Sequence, residues 1–183
     1  MRLECTSVPD VRIIEASAVR DERGWLLVNF DQRRFDDALG REVRFVQENH
    51  SLSHRNVLRG LHYQLPPHAQ GKLVRVVQGR VFDVAVDVRR SSATFGRWVG
   101  VELSEDNHRQ FWIPPGFAHG FLVLSESADF LYKTTDHHAP ACERAVRWDD
   151  PTLAIEWPEP ALARALSAKD LAAPSLADAD LFA

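Results

Sequence analysis

Val81-Phe82-Asp83-Val84-Ala85-Val86-Asp87-Val88 repeats with a period of two. Phe82, Val84, Val86 and Val88 share one face, and Val81, Asp83, Ala85 and Asp87 the other, the pattern of a half-buried β-strand. Residues 72–78 just before it form a second β-rich run. Gln78-Gly79-Arg80 between them supplies the glycine of a tight turn, so the pair reads as a hairpin.

Working outward, strands are expected at 12–15, 24–30, 45–50, 98–103, 110–113, 119–123, 128–134 and 145–148. Turn signals separate them, among them Asp21-Glu22-Arg23-Gly24, Ser104-Glu105-Asp106-Asn107 and Pro114-Pro115-Gly116. Many short strands at this spacing indicate an all-β sandwich or barrel. Helix is sparse, with short candidates at Gln32 to Leu39 and Pro160 to Leu166. No linker or repeat divides the chain, which reads as one domain over residues 1–183. Residues 171–183, rich in alanine and aspartate, read as a loosely held tail.

At 183 residues, 45% hydrophobic and 26% charged, the chain has enough apolar side chains for a sizeable core. A net charge of -4 gives no global cationic field, which argues against nucleic acid and for a small partner. Cys5 and Cys142 form no CxxC or short-spaced framework, so a reducing compartment suits them. The first ten residues lack the apolar stretch of a signal peptide, and no apolar run reaches membrane-spanning length. A cytoplasmic protein without membrane contact is expected.

Four clusters carry chemistry. Val57-Leu58-Arg59-Gly60-Leu61-His62-Tyr63-Gln64, followed by Lys72, places a base and two cations in and beside strand-forming sequence. They are either charges on strand surfaces or groups converging on an anionic, base-labile substrate. His119, after Pro114-Pro115-Gly116-Phe117-Ala118, is either a core histidine bonded to backbone or a group aimed into a barrel. Tyr132 shares a face with Phe130 and Thr134, so its hydroxyl either finds an interior partner or is available as a proton donor. Asp170, in Leu166-Ser167-Ala168-Lys169-Asp170, is either a solvated charge or a carboxylate that orients a histidine.

Taken together and in order, Arg59-Gly60-Leu61-His62-Tyr63-Gln64, Lys72-Leu73-Val74-Arg75-Val76, Ile113-Pro114-Pro115-Gly116-Phe117-Ala118-His119-Gly120-Phe121, Tyr132-Lys133 and Ser167-Ala168-Lys169-Asp170 closely resemble the dTDP-4-dehydrorhamnose 3,5-epimerase family. The likeness runs from about Pro9 to Asp170 and includes Phe45-Val46-Gln47-Glu48-Asn49 and Trp148-Asp149-Asp150-Pro151. It implies a cupin-type jelly roll or β-sandwich with short peripheral helices. It also implies a homodimer and cofactor-free epimerisation of a dTDP-linked 4-keto-6-deoxysugar, as in dTDP-rhamnose biosynthesis.

By the same resemblance His62 is the base, Tyr132 the acid, Asp170 the partner of His62, and Lys72 the stabiliser of an enolate. Arg23, Gln47, Glu48, Asn49, Arg59, His119, Glu143 and Lys169 match substrate-binding positions, with Arg23 and Arg59 on the diphosphate. An N-terminal segment within residues 11–30 is expected to pair with a partner's sheet and carry Arg23 into the neighbouring site.

Many cupins hold a metal through a His-x-His pair. Here His62-Tyr63-Gln64 puts a glutamine at the second position, and no metal is expected. The adjacent His137-His138 is a rival metal candidate. The chain departs from the family pattern at Val28, where many members have a glutamate, and at His137-His138, which replace a tyrosine pair. Neither departure touches the acid, the base or the enolate stabiliser. Inversion of C3 and C5 is the leading reading, beside inversion of one carbon only and a noncatalytic or metal-dependent cupin that binds a small molecule.

Overall fold

The computed structural model describes residues 2–158 and 165–183. In chain order its elements are β1 (Arg2–Cys5), β2 (Arg12–Glu15), β3 (Val19–Asp21), β4 (Gly24–Leu26), α1 (Gln32–Leu39), β5 (Gln47–His54), β6 (Leu58–Gln64), β7 (Lys72–Gln78), β8 (Arg80–Asp87), β9 (Trp98–Ser104), β10 (Arg109–Ile113), β11 (Phe117–Val123), β12 (Ser127–Thr134), β13 (Glu143–Ala145) and α2 (Ala168–Leu171). Pro140–Cys142 forms a single 3-10 turn.

Two antiparallel sheets face each other. One has six strands in the order β1-β2-β10-β7-β12-β5, the other five in the order β13-β6-β11-β8-β9, and β3-β4 form a separate hairpin. The alternation along each strand sends Val74 and Val76 of β7, Phe111 and Ile113 of β10, Phe121 of β11 and Phe130 of β12 into the space between the sheets. This is the cupin-type jelly roll.

The strand that decides the fold is buried on both faces rather than one. Val81 and Ala85 join the core between the sheets, while Val84, Val86 and Val88 pack into a second cluster on the outer side. The covering layer is the C-terminal segment, with Leu153, Trp157, Leu176, Ala179 and Leu181 in that cluster. The expected loose tail is therefore a packed cover. Leu176 and Leu181 are buried, Tyr63 Oη donates to the Asp180 carbonyl at 2.7 Å, and Arg90 N donates to the Phe182 carbonyl at 3.0 Å. Each buried leucine contributes about 1.5–3 kcal/mol, enough to hold a segment otherwise made largely of alanine.

A second correction concerns 72–88. β7 and β8 are consecutive but do not pair: β7 lies between β10 and β12, and β8 between β11 and β9. Gly79, at φ +79°, carries the chain from one sheet to the other. A Cβ there would come within 2.1 Å of the Ser127 carbonyl, so only glycine makes this crossing.

The helix expected at 32–39 forms at those residues. Asp31 caps it by accepting from Arg34 N at 3.1 Å, and Gly40 ends it in the left-handed region. Its Phe35 packs edge-on to Trp112, closing the outer face of the six-stranded sheet. Of the helix expected at Pro160 to Leu166, residues 160–164 lie outside the described residues, and Ala165 and Leu166 are not helical. Ala165, just after, bridges to Val57.

Candidate active site

Arg59 and His62 are three residues apart, and strict alternation would put them on opposite faces of β6. Both instead face between the sheets, because the strand bulges between them. In the pairing with β11, His62 is opposite His119 and Arg59 opposite Phe121, three steps against two. Gly60 absorbs the extra residue at φ +139°. A Cβ on it would sit 2.5 Å from Gly120 Cα, so the paired glycines let the strands close. The Gly60 amide also donates to Asp170.

His62 is oriented from far along the chain. Its Nε2 lies 2.5 Å from Asp170 Oδ1, and Ser167 Oγ donates to Asp170 Oδ2 at 2.7 Å while capping α2. Burial alone would raise the Asp170 carboxyl, but the hydrogen bonds from His62, Ser167 and Gly60 outweigh it and hold the group below the usual carboxylate range. An ionised carboxylate accepts only, so Nε2 carries the proton and a neutral ring presents Nδ1 as its acceptor.

His119, on β11 beside β6, makes a second such pair, its Nε2 3.1 Å from Asp83. Burial lifts the Asp83 carboxyl and lowers the His119 imidazole, while their mutual attraction offsets part of each shift. The opposite wall belongs to the six-stranded sheet and is tuned by burial. Burial pulls the Lys72 ammonium down to about 8 against the attraction of Asp83 and Glu143, and Lys72 Nζ donates to the His62 carbonyl at 3.4 Å. Burial also raises the Tyr132 hydroxyl, against the pull of Arg59.

These groups line two adjoining lobes between the sheets, walled by β5, β7 and β12 on one side and by β6, β11 and β13 on the other. One lobe, about 320 Å³, is lined by Gln47, Asn49, Gln64, Thr134, His138 and Glu143, and the other, about 150 Å³, by Ser51, Arg59, His119, Phe121 and Phe130. His62, Lys72 and Tyr132 border both and mark the junction. Arg59 Nε donates to Ser53 Oγ at 3.0 Å, fixing its guanidinium at the smaller lobe. A larger cavity of about 490 Å³ lies under the β3-β4 hairpin on the outer face of the six-stranded sheet. It is lined by Arg75, His108 and Arg109 together with Glu105 and Asp106.

The structure thus gathers His62, Lys72, Tyr132, Asp170, Gln47, Asn49, Arg59, His119 and Glu143. Lys169 adjoins them through an ion pair with Glu143. Glu48 does not belong: alternation turns it away from Gln47 and Asn49, and it pairs with Lys133 at 2.8 Å. Arg23 sits at the tip of the hairpin, 85% exposed and paired with Asp21, outside the cleft of its own protomer. Asp83 was missed, although a carboxylate alternating with Val81 and Ala85 in an apolar strand was the available signal.

Gln64, at the position where a metal-binding cupin would have a histidine, has another task. Its Nε2 donates to the carbonyls of His68 at 2.7 Å and His137 at 3.2 Å, and its Oε1 accepts from Ala139 N at 2.9 Å. No imidazole could make all three bonds. Among the described residues, no three His, Cys, Asp or Glu side chains converge as a metal site.

Residues 5–178 match the protein-family model described as dTDP-4-dehydrorhamnose 3,5-epimerase. The chain is 56% identical over 182 residues to the dTDP-4-dehydrorhamnose 3,5-epimerase of Pseudomonas aeruginosa, covering 100% of this chain and 99% of that protein. It is 55% identical over 177 residues to the protein of the same name from Shigella flexneri, covering 97% of each. A solved structure of dTDP-6-deoxy-D-glucose-3,5-epimerase from Legionella pneumophila Philadelphia 1, in complex with dTDP-4-keto-L-rhamnose, is similar at a TM-score of 0.94 and 51% identity, covering 98% of this chain and 94% of that one.

Proposed function

Because the chain belongs to the dTDP-4-dehydrorhamnose 3,5-epimerase family, we propose that its cleft inverts C3 and C5 of dTDP-4-dehydro-6-deoxy-D-glucose, giving dTDP-4-dehydro-L-rhamnose for deoxysugar biosynthesis. Both carbons flank the C4 ketone, so losing either proton leaves an enolate with its charge on the C4 oxygen. His62 takes the proton through Nδ1, and the Lys72 ammonium stabilises the enolate as a charge already in place. Tyr132 returns a proton to the other face of the sugar and inverts the centre.

The observation that carries this reading is the placement of base and acid on opposing walls. His62, oriented by Asp170 at 2.5 Å, stands on the five-stranded sheet, and Tyr132 on the six-stranded one. Gln47, Asn49, Arg59, His119, Glu143 and Lys169 hold the substrate around that axis. The donor set fits a reaction without metal or cofactor, since the Lys72 cation lines the same space as His62 and His119 and Gln64, at the position of a further histidine ligand, is taken up by backbone groups.

The active unit is a homodimer in this reading. The hairpin carrying Arg23 also exposes Val19 at 74%, Trp25 at 53% and Leu26 at 74%, an apolar surface suited to a second copy. Arg23 of one protomer then reaches the diphosphate in the cleft of its partner. Light scattering should give twice the chain mass, and a monomer at micromolar concentration would count against it. We assign the protein to the cytoplasm, consistent with free thiols at Cys5 and Cys142. Among the described residues, no helix is long and apolar enough to cross a membrane.

The deciding experiment follows deuterium from solvent into dTDP-4-dehydro-6-deoxy-D-glucose by NMR. Label is expected at both C3 and C5, and replacing His62 by alanine should abolish it while dTDP binding survives. Label at one carbon only would convert the reading to a single-centre epimerase. No label at either would overturn it.

A further inference from the structure

Asp83 lies behind the wall of the cleft with none of its side chain exposed. Alternation with Val81 and Ala85 turns it between the sheets, and its register opposite Phe121 of β11 brings it beside the His119 ring. Both of its oxygens lie 3.1 Å from His119 Nε2, its only partner among the hydrogen bonds described. One N–H satisfies only part of a carboxylate that can accept about four bonds. The surroundings are apolar: Phe121 and Phe130 stack at 4.2 Å, and His119 stacks on Phe130 at 6.1 Å. An isolated charge there would neutralise itself, a carboxylate by taking up a proton and an ammonium by losing one.

We propose that Asp83 is a positioning residue of the reaction, which turns His119 Nδ1 towards the substrate and supplies the fixed counter-charge that keeps Lys72 an ammonium. The proposal rests on the functional reading above, in which Lys72 stabilises the enolate. A neutral His119 ring cannot balance the carboxylate, whereas the Lys72 cation lines the same lobe as His119. The attraction is mutual. Asp83 is the foremost group holding the proton on Lys72 against burial, ahead of Glu143, and Lys72 in turn opposes the effect of burial on Asp83. Without Asp83 a larger share of the enzyme would meet the substrate with Lys72 as an amine, which has no charge to set against the enolate.

The other groups around Lys72 leave this task to Asp83. On β13 Glu143 is engaged by Lys169 of α2, whose own charge works against the Lys72 ammonium. On β6 His62 is tied to Asp170, and Arg59 is a further cation. Burial keeps Tyr132 of β12 neutral, and Gln47 and Asn49 of β5 carry no charge. The neighbouring β10 sets the apolar Ile113 opposite Lys72.

The test reads the Lys72 ammonium directly. Lys72, Lys133 and Lys169 are the only lysines of the chain. The carbon-13 signal of each lysine Cε can therefore be followed by NMR against pH, with Lys72 identified as the signal that Lys72→Met loses. The wild-type midpoint should lie at about 8. In Asp83→Asn, whose amide oxygen still accepts from Nε2, it should fall by about one pH unit, the low end for losing a nearby opposite charge. The alkaline limb of kcat/KM should fall with it, whereas a merely structural Asp83 would leave both in place. Asp83→Asn added to Lys72→Arg should not move the limb, because guanidinium keeps its charge. Asp83→Ser, with room for a water, carries the same expectations if the amide variant does not fold. An unchanged Lys72 midpoint in a folded neutral variant, or a limb shift that persists in the Lys72→Arg background, overturns the proposal. A wild type that puts no deuterium into dTDP-4-dehydro-6-deoxy-D-glucose overturns the functional reading and this role with it, and the NMR midpoints separate that failure from a missing charge pair.

Discussion

The two walls of the cleft are tuned by different means. On the five-stranded wall each imidazole is tied to a carboxylate, His62 to Asp170 and His119 to Asp83, which fixes ring orientation and the position of the proton. On the six-stranded wall Lys72 and Tyr132 have no such partner among the hydrogen bonds described, and burial shifts both towards their neutral forms. The difference separates two demands of the chemistry. In the proposed chemistry the base must point one way and keep one nitrogen open, whereas the enolate stabiliser and the acid must exchange charge with the substrate easily.

The comparison breaks first at Lys72. Lys72→Met should cut kcat by about 10²–10³-fold while dTDP affinity stays nearly constant, a split that steady-state kinetics beside calorimetry resolves. Equal losses in both would mean that Lys72 only binds. Tyr132→Phe comes next, with about 10²-fold lost from kcat. The base on the other wall is intact in that variant, so solvent deuterium should still enter unreacted substrate, and loss of wash-in together with product formation would remove Tyr132 from the acid role.

The pH profile sharpens the contrast. Burial depresses Lys72 to about 8, so its charge is present below that pH and lost as pH rises through it. kcat/KM, which reports the free enzyme, should therefore fall above about pH 8, and Lys72→Arg should move that limb upward because guanidinium stays charged. The smallest effect belongs to the orienting side. Ser167→Ala removes both a helix cap and a donor to Asp170, and should cost about 1 kcal/mol of stability, read as a lowered melting temperature with the site still assembled.

Sequence periodicity carried the reading of strands and of α1, because alternation and capping are local. The crossing at Gly79 was misread as a hairpin because a glycine between two β-runs serves a turn and a change of sheet equally well. The cover at 174–183 was hidden by its alanines and aspartates, and Leu176, Leu181 and Phe182 acquire meaning only against the outer face of β8. In the cleft, Tyr132 followed from alternation with Phe130. Arg59 beside His62 did not, since their shared face depends on the bulge at Gly60. Glu48 was assigned to the site although period two separates it from Gln47 and Asn49. Asp83 was visible as a charge in an apolar strand, but the strand read as half-buried, whereas both of its faces are covered.

His62 and Asp170 are 108 residues apart in the chain. A ribosome adding about 5–20 residues per second takes about 5–20 s to travel between them, and the last part of the cover of β8, Leu176, Ala179 and Leu181, follows Asp170. A nascent chain released between Tyr132 and Asp170 already carries His62, Lys72 and Tyr132 but lacks Leu176, Ala179 and Leu181, the last part of the layer over Val84, Val86 and Val88. Such a product is a sticky fragment for proteases and chaperones to clear, so catalytic competence and protection from aggregation arrive together with the same late-synthesised stretch.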